Sequence, residues 1–207
     1  LMHHCFSRAE VKSLAGTSVA WDFVELPSQL MENWCWEREA LDFLARHHES
    51  GAPIPKELFD KMLRARTYRA ANTQMRQLGF ATADLALHID YDPAKDGDVL
   101  DYTRKIFTKF TSAELPGEYG LIASFSHLFS SPVGYAAAYY SYKWAEVLEA
   151  DVFGRFLREG IFNRDVGKQY RERILAKGDT EDAMELFKSF MGREPALEPL
   201  LERQGLV

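Results

Sequence analysis

The stretch Tyr135-Ala136-Ala137-Ala138-Tyr139-Tyr140-Ser141-Tyr142-Lys143-Trp144-Ala145-Glu146-Val147-Leu148-Glu149-Ala150 decides the fold class. It is rich in strong helix formers and holds neither glycine nor proline. Its apolar residues recur at spacings of three and four, which predicts the longest helix of the chain, over about 135 to 159. Upstream, a loop through Pro132 and Gly134 follows an apolar run that begins after Pro116-Gly117 and ends near His127. Shorter helices fit roughly 82 to 90 and 97 to 112, divided by the turn residues Asp92-Pro93 and Asp96-Gly97-Asp98. A helix over about 56 to 78 ends at Gly79, and the Gly51-Ala52-Pro53-Ile54-Pro55 loop separates it from one over about 24 to 48. Residues 1 to about 12 read as helix up to the break at Ala15-Gly16-Thr17-Ser18, and the tail from about 163 to 204 adds two or three more helices. Strand-like alternation is scarce, and no internal repeat, low-complexity tract or long linker divides the chain. The expectation is an all-α protein in which residues 1–207 form a single helical unit.

Composition narrows the function. The 46% hydrophobic content over 207 residues is enough for a packed core. The net charge of −6 comes from acidic and basic residues that are mixed along the chain, which argues against nucleic acid or an anionic membrane surface as partner. No run of about 18 apolar residues is present to span a bilayer. Cys5 and Cys35 lack disulfide-framework or metal-site spacing; they read as buried thiols and suit a reducing, cytoplasmic compartment. The opening Leu1-Met2-His3-His4-Cys5-Phe6 reads as the middle of a helix, so a fragment of a longer chain is expected.

Two constellations can carry chemistry. In Asp22-Phe23-Val24-Glu25-Leu26-Pro27-Ser28-Gln29-Leu30-Met31-Glu32, a helix would set Asp22, Glu25, Gln29 and Glu32 along one side. The same spacing also fits a capping box closed by Asp22 and Glu25, although Pro27 would then lie past the first turn. The second constellation is Ser126-His127-Leu128-Phe129, a loop, and the tyrosine-rich segment. Helical spacing of four and three would put Tyr135, Tyr139 and Tyr142 on one face. Phenols in a row can donate hydrogen bonds to a developing oxyanion, each worth roughly 2.7 to 4 kcal/mol in a well-ordered site. An aromatic stripe at this spacing fits a core equally well, but every buried phenol then needs a partner. His3, His4, His47 and His48 are adjacent pairs whose side chains diverge around a helix, so no pair has the i, i+4 spacing of a zinc helix. A hydrolytic zinc site normally needs three protein ligands and an open position, and by itself this chain cannot assemble the usual set.

These residues also resemble a known family. Asp22 to Trp34 is similar to the third-ligand helix of the thimet oligopeptidase, oligopeptidase A and dipeptidyl carboxypeptidase family of zinc peptidases, and Leu1-Met2-His3-His4 resembles the continuation of that family's HEFGH sequence. The segment Phe125-Ser126-His127 through Tyr142-Lys143-Trp144-Ala145-Glu146-Val147 resembles the second signature, a histidine followed by a loop and a tyrosine-rich helix. The resemblance implies that HExxH lies just before Leu1 and that Glu25 is the third zinc ligand. Asp22 would orient a zinc histidine. His127 would contact the peptide backbone, Tyr135 and Tyr142 would steady substrate and tetrahedral intermediate, and Tyr139 would be a third phenol nearby. It further implies one zinc ion in the full-length enzyme, short peptides as substrates, and a fragment that is inactive and short of ligands without the N-terminal part of the polypeptide. The loop Phe129-Ser130-Ser131-Pro132-Val133-Gly134 is longer than the family's glycine-rich loop, which bears on His127 and Tyr135 but not on Glu25. A non-catalytic helical domain that binds a peptide or protein on its tyrosine face is the alternative. The zinc reading requires the Glu25 carboxylate and the phenols to share one site. Neither reading decides between an endopeptidase and an enzyme that releases dipeptides from the carboxyl end.

Overall fold

A computed structural model describes residues 1–131 and 134–207, so the proline of the Phe129–Gly134 loop lies outside the described residues. As the periodicity predicts, the chain is helical. Among the described residues the extended pairing is a single antiparallel bridge between Arg46 and Pro53. Among the described residues no helix is long and apolar enough to cross a membrane. The chain divides into two compact units, Leu1–Tyr68 with Ala145–Val207, and Arg69–Trp144.

The first unit holds α1 (Met2–Phe6), α2 (Trp21–Val24), α3 (Leu26–Glu32), α4 (Arg38–Leu44) and α5 (Lys56–Arg66). The expected helix over 24 to 48 is thus broken into pieces, with a 3-10 turn at Asn33–Trp36 and an extended Glu37 before α4. His47 and His48 fall after α4, in the turn closed by the Arg46–Pro53 bridge, and their rings stack at 4.9 Å instead of diverging around a helix. Cys5 and Cys35 are exposed, not buried.

Most of α10 (Ser141–Glu159) belongs to the same unit, with α11 (Arg164–Tyr170), a π-helical turn at Arg171–Leu175, α12 (Ala183–Met191) and α13 (Glu198–Arg203). Its core is built from Phe23, Leu26, Leu30, Leu148, Val152, Phe187 and Phe190, all nearly inaccessible. Trp34 seats its ring edge-on against Phe153 and Phe156, each at 5.0 Å, and donates its indole N–H to Ile161 O. Two buried carboxylates are compensated within this unit. Asp151 takes the guanidinium of Arg193 and the amide of Ala196, while Glu149 takes Arg203 and the amide group of Asn33. Burial of such groups is tolerated because each is paired and hydrogen-bonded. Gly178, at φ +55°, brings the backbone against Leu14 O so closely that a Cβ would stand 2.1 Å from it, and Asp179 N donates to that same oxygen at 2.8 Å. This ties the segment between α1 and α2 to the turn before α12.

The second unit contains α6 (Ala70–Ile89), α7 (Pro93–Asp96), α8 (Val99–Thr108), a 3-10 turn at Leu121–Ser124, α9 (Ser126–Phe129) and the beginning of α10. The break expected at Gly79 falls instead at Arg69, whose left-handed backbone (φ +57°) starts α6. Gly79 is retained inside that helix because a Cβ there would meet Phe110 Cβ at 3.1 Å. The close approach of Phe110, not a helix end, is what favours glycine there. The turn chemistry read at Asp92 and Asp98 is present: both cap helices, Asp92 accepting from Ala94 N and Asp98 from Leu100 N. Phe80, Phe107, Phe125 and Tyr139 meet edge-on in the core of this unit.

Candidate functional site

Glu25 sits where α2 ends and α3 begins, with φ −87° and ψ −7°. The polar stripe from Asp22 to Glu32 therefore does not run along one continuous helix. No capping box forms either: Ala20 occupies the N-cap of α2, without a side-chain cap bond, and Asp22 lies within the helix, partly buried. The interruption also accommodates Pro27, which falls in the first turn of α3, where a missing N–H costs nothing. Ser28 Oγ donates to Glu25 Oε2 at 2.5 Å, which holds the carboxylate in place from one side.

That carboxylate opens on a cavity of about 340 Å³, also lined by His3, Val24, Ser28 and Met31. His3 is 3% exposed, and neither ring nitrogen has a partner. Burial and the neighbouring His4 hold its pKa below the ordinary histidine value, which favours a neutral imidazole there. Buried polar groups are nearly always satisfied, so an orphaned ring lining the same cavity as a carboxylate marks that cavity as unusual. Its donor chemistry, a carboxylate oxygen, fits one corner of a tetrahedral zinc site. Glu25 does not by itself belong to a three-ligand group. Among the described residues such a group is made by His47, His48 and Glu49, all exposed on the turn after α4.

The second constellation assembles for a reason different from helical spacing. Residues 136–140 form turns and α10 begins only at Ser141, so Tyr135, Tyr139 and Tyr142 do not share a helical face. The rings meet all the same. Centroid distances from His127 are 5.7 Å to Tyr135, 5.8 Å to Tyr139 and 6.2 Å to Tyr142. Tyr135 and Tyr142 stack at 5.0 Å and 18°, and Tyr139 stands edge-on to Tyr142 at 5.2 Å. His127 is exposed, Tyr135 and Tyr142 are partly buried, and Tyr139 forms the floor at 8% exposure. Burial, with Tyr142 beside it, raises the Tyr139 pKa above the ordinary tyrosine value and keeps that phenol a neutral donor at pH 7.

What folds this turn is Asp84, a residue the sequence reading passed over. Its carboxylate is fully buried on α6 and accepts from Ala137 N through Oδ1 and from Tyr139 N through Oδ2, both at 2.8 Å. Ala137 lies between them at φ +57°, a conformation an alanine adopts only under constraint. His88 Nδ1, one turn further along α6, lies 2.8 Å from the Asp84 carbonyl oxygen and 3.0 Å from Oδ1. A second tie, Tyr135 N to His127 O at 3.2 Å, closes the loop on the histidine. The signal was legible in the sequence as one carboxylate within the apolar run Phe80-Ala81-Thr82-Ala83-Asp84-Leu85-Ala86-Leu87. Asp84→Ala orphans two N–H groups at about 1 to 3 kcal/mol each. Asp84→Asn keeps one acceptor oxygen and should lose about half as much, measured as midpoints of urea unfolding.

Both constellations lie within a stretch that matches known proteins. Over 206 residues the chain is 48% identical to oligopeptidase A of Salmonella typhimurium, which covers 99% of this chain and 30% of that protein. It is 41% identical over 211 residues to an organellar oligopeptidase A of Arabidopsis thaliana, covering 100% of this chain and 26% of the relative. It is 32% identical over 207 residues to dipeptidyl carboxypeptidase of Escherichia coli, with 99% and 30% covered. The chain thus spans less than a third of the length of these relatives. Residues 1–206, nearly the whole of the chain, match the model of peptidase family M3. This chain belongs to peptidase family M3.

Proposed function

We propose that this chain carries the third metal ligand and the substrate groups of a zinc-dependent oligopeptidase that hydrolyses short peptides in the cytoplasm. The match of residues 1–206 to the peptidase family supports the reading. The cavity at Glu25 and the ring cluster around His127 are consistent with it. Glu25 offers a carboxylate oxygen to zinc, and two histidines of an HExxH sequence preceding Leu1 complete the set. Asp22 accepts the ring N–H of one of those histidines and fixes its tautomer. When bound, zinc supplies Lewis acidity at the scissile carbonyl and the attacking water. His127 hydrogen-bonds the peptide backbone and Tyr135 helps hold the substrate. Tyr142 donates to the oxyanion as it develops, and Tyr139 backs the other two phenols. The proton of the water goes to the glutamate of HExxH.

The test uses two proteins, the longer polypeptide and residues 1–207 alone. The longer polypeptide should cleave short quenched-fluorescence peptides, lose that activity to a chelator and recover it with zinc. Residues 1–207 alone should show none, and only weak, nonspecific zinc binding. If the zinc-loaded longer polypeptide binds those peptides and leaves them intact, the tyrosine face is a binding surface and the peptidase reading fails.

A further inference from the structure

Beside the His127 cluster, and within the same unit, lies a cavity that the peptidase reading leaves unassigned. It measures about 170 Å³ and is lined by Phe80, Phe107, Phe110 and Tyr119, with Asn72 and Arg76 at its polar end. An apolar cavity of about 150 Å³ takes one benzene ring, and pockets for whole small molecules begin near 300 Å³, so this space fits a single large apolar side chain. Its rings are held rigidly. Phe107 meets Phe80 at 5.9 Å and Tyr119 at 5.8 Å, both edge-on, and Gly79 lets Phe110 approach α6.

Arg76 gives the cavity its sign. Its guanidinium lies 4.7 Å from the centroid of the Phe80 ring, and it is exposed. Among the described residues it has no carboxylate within ion-pair distance, whereas Arg38, Arg104, Arg155, Arg171, Arg193 and Arg203 each have one. Its positive charge also reaches the Tyr139 phenol and acts on its ionisation. A fork of N–H donors stacked on an aromatic wall is matched by a carboxylate attached to an apolar group. Phe80 contacts Tyr139, which contacts His127, so the wall of the cavity lies within about 12 Å of the His127 ring. That is roughly three or four residues of extended peptide.

We propose that this cavity is the subsite for the carboxy-terminal residue of a peptide, with an apolar side chain among Phe80, Phe107 and Tyr119 and the terminal carboxylate on Arg76. The inference rests on the peptidase reading for its ligand class. It makes the protein an enzyme that works from free carboxyl ends.

The longer polypeptide is assayed on two short peptides identical except that one ends in Phe with a free carboxylate and the other in Phe amide. The free-ended peptide should be cleaved with the higher kcat/KM. Arg76→Gln should reduce that value roughly ten- to a hundredfold, mainly through KM, and change the amide peptide by less than about threefold. Arg76→Lys should restore part of the difference, and Leu115→Trp, which fills the cavity, should abolish the preference for a terminal Phe over Ala. Equal losses on both peptides, or no loss on either, overturn the assignment while leaving peptidase activity standing. If the wild type cleaves neither peptide, binding of N-acetylphenylalanine against its amide, followed by NMR, replaces the kinetic comparison. Binding without a preference for the carboxylate then overturns the subsite, including the case in which another part of the polypeptide covers the cavity.

Discussion

Glu25→Gln is expected to strip zinc from the longer polypeptide and to abolish peptide hydrolysis at ordinary metal concentrations. The substitution keeps size and shape, and Ser28 Oγ can donate to the new amide oxygen as it does to Glu25 Oε2. What disappears is the negative charge on a metal-binding oxygen. Loss of groups that merely orient zinc ligands already costs ten- to a hundredfold in affinity, so removal of a ligand should weaken zinc by more than about a hundredfold. Metal content after dialysis reads the effect directly, with circular dichroism as the control for folding. One zinc retained per chain would remove Glu25 from the metal site, whatever happened to activity.

The second large effect belongs to Tyr142. Tyr142→Phe leaves a ring that can still stack on Tyr135 and meet Tyr139 edge-on, so the cluster should persist with only a hydroxyl missing. A donor that acts on the oxyanion alone is worth roughly a hundred- to a thousandfold in kcat. KM should change by less than about threefold, because uniform binding is untouched. A loss confined to KM would make Tyr142 a substrate-holding residue and pass the oxyanion role to another donor.

Periodicity made the all-α class legible and residue type marked the histidine and the tyrosines, whereas helix bounds and the exposure of Cys5 and Cys35 were misread. His127, Tyr135, Tyr139 and Tyr142 do come together, but through a turn held by Asp84 and not through the face of a helix. Alanine-rich residues 136–138 have every local reason to be helical, and a buried carboxylate on another helix overrides that preference. Gly79 shows the same limitation, since a glycine that ends a helix and one that admits a neighbouring ring look identical in one dimension. His3 had no distinguishing mark as half of an adjacent pair. Only the packing shows it buried, lining the same cavity as Glu25, with both nitrogens unpartnered. The caps at Asp92 and Asp98 were legible because they depend on neighbours two or three residues away.

The pairing of Glu149 with Arg203 carries a consequence for how the polypeptide is made. The carboxylate lies at the heart of the first unit, and its guanidinium arrives 54 residues later, on the same arginine that also reaches Asn33 across 170 residues. Until that last helix is made, closing around Glu149 would bury a carboxylate that has the Asn33 amide but no guanidinium to balance its charge, at a penalty of several kcal/mol. Tight packing of the first unit is therefore expected only once residue 203 is available, so a chain that stops short of it should stay loosely packed around Glu149.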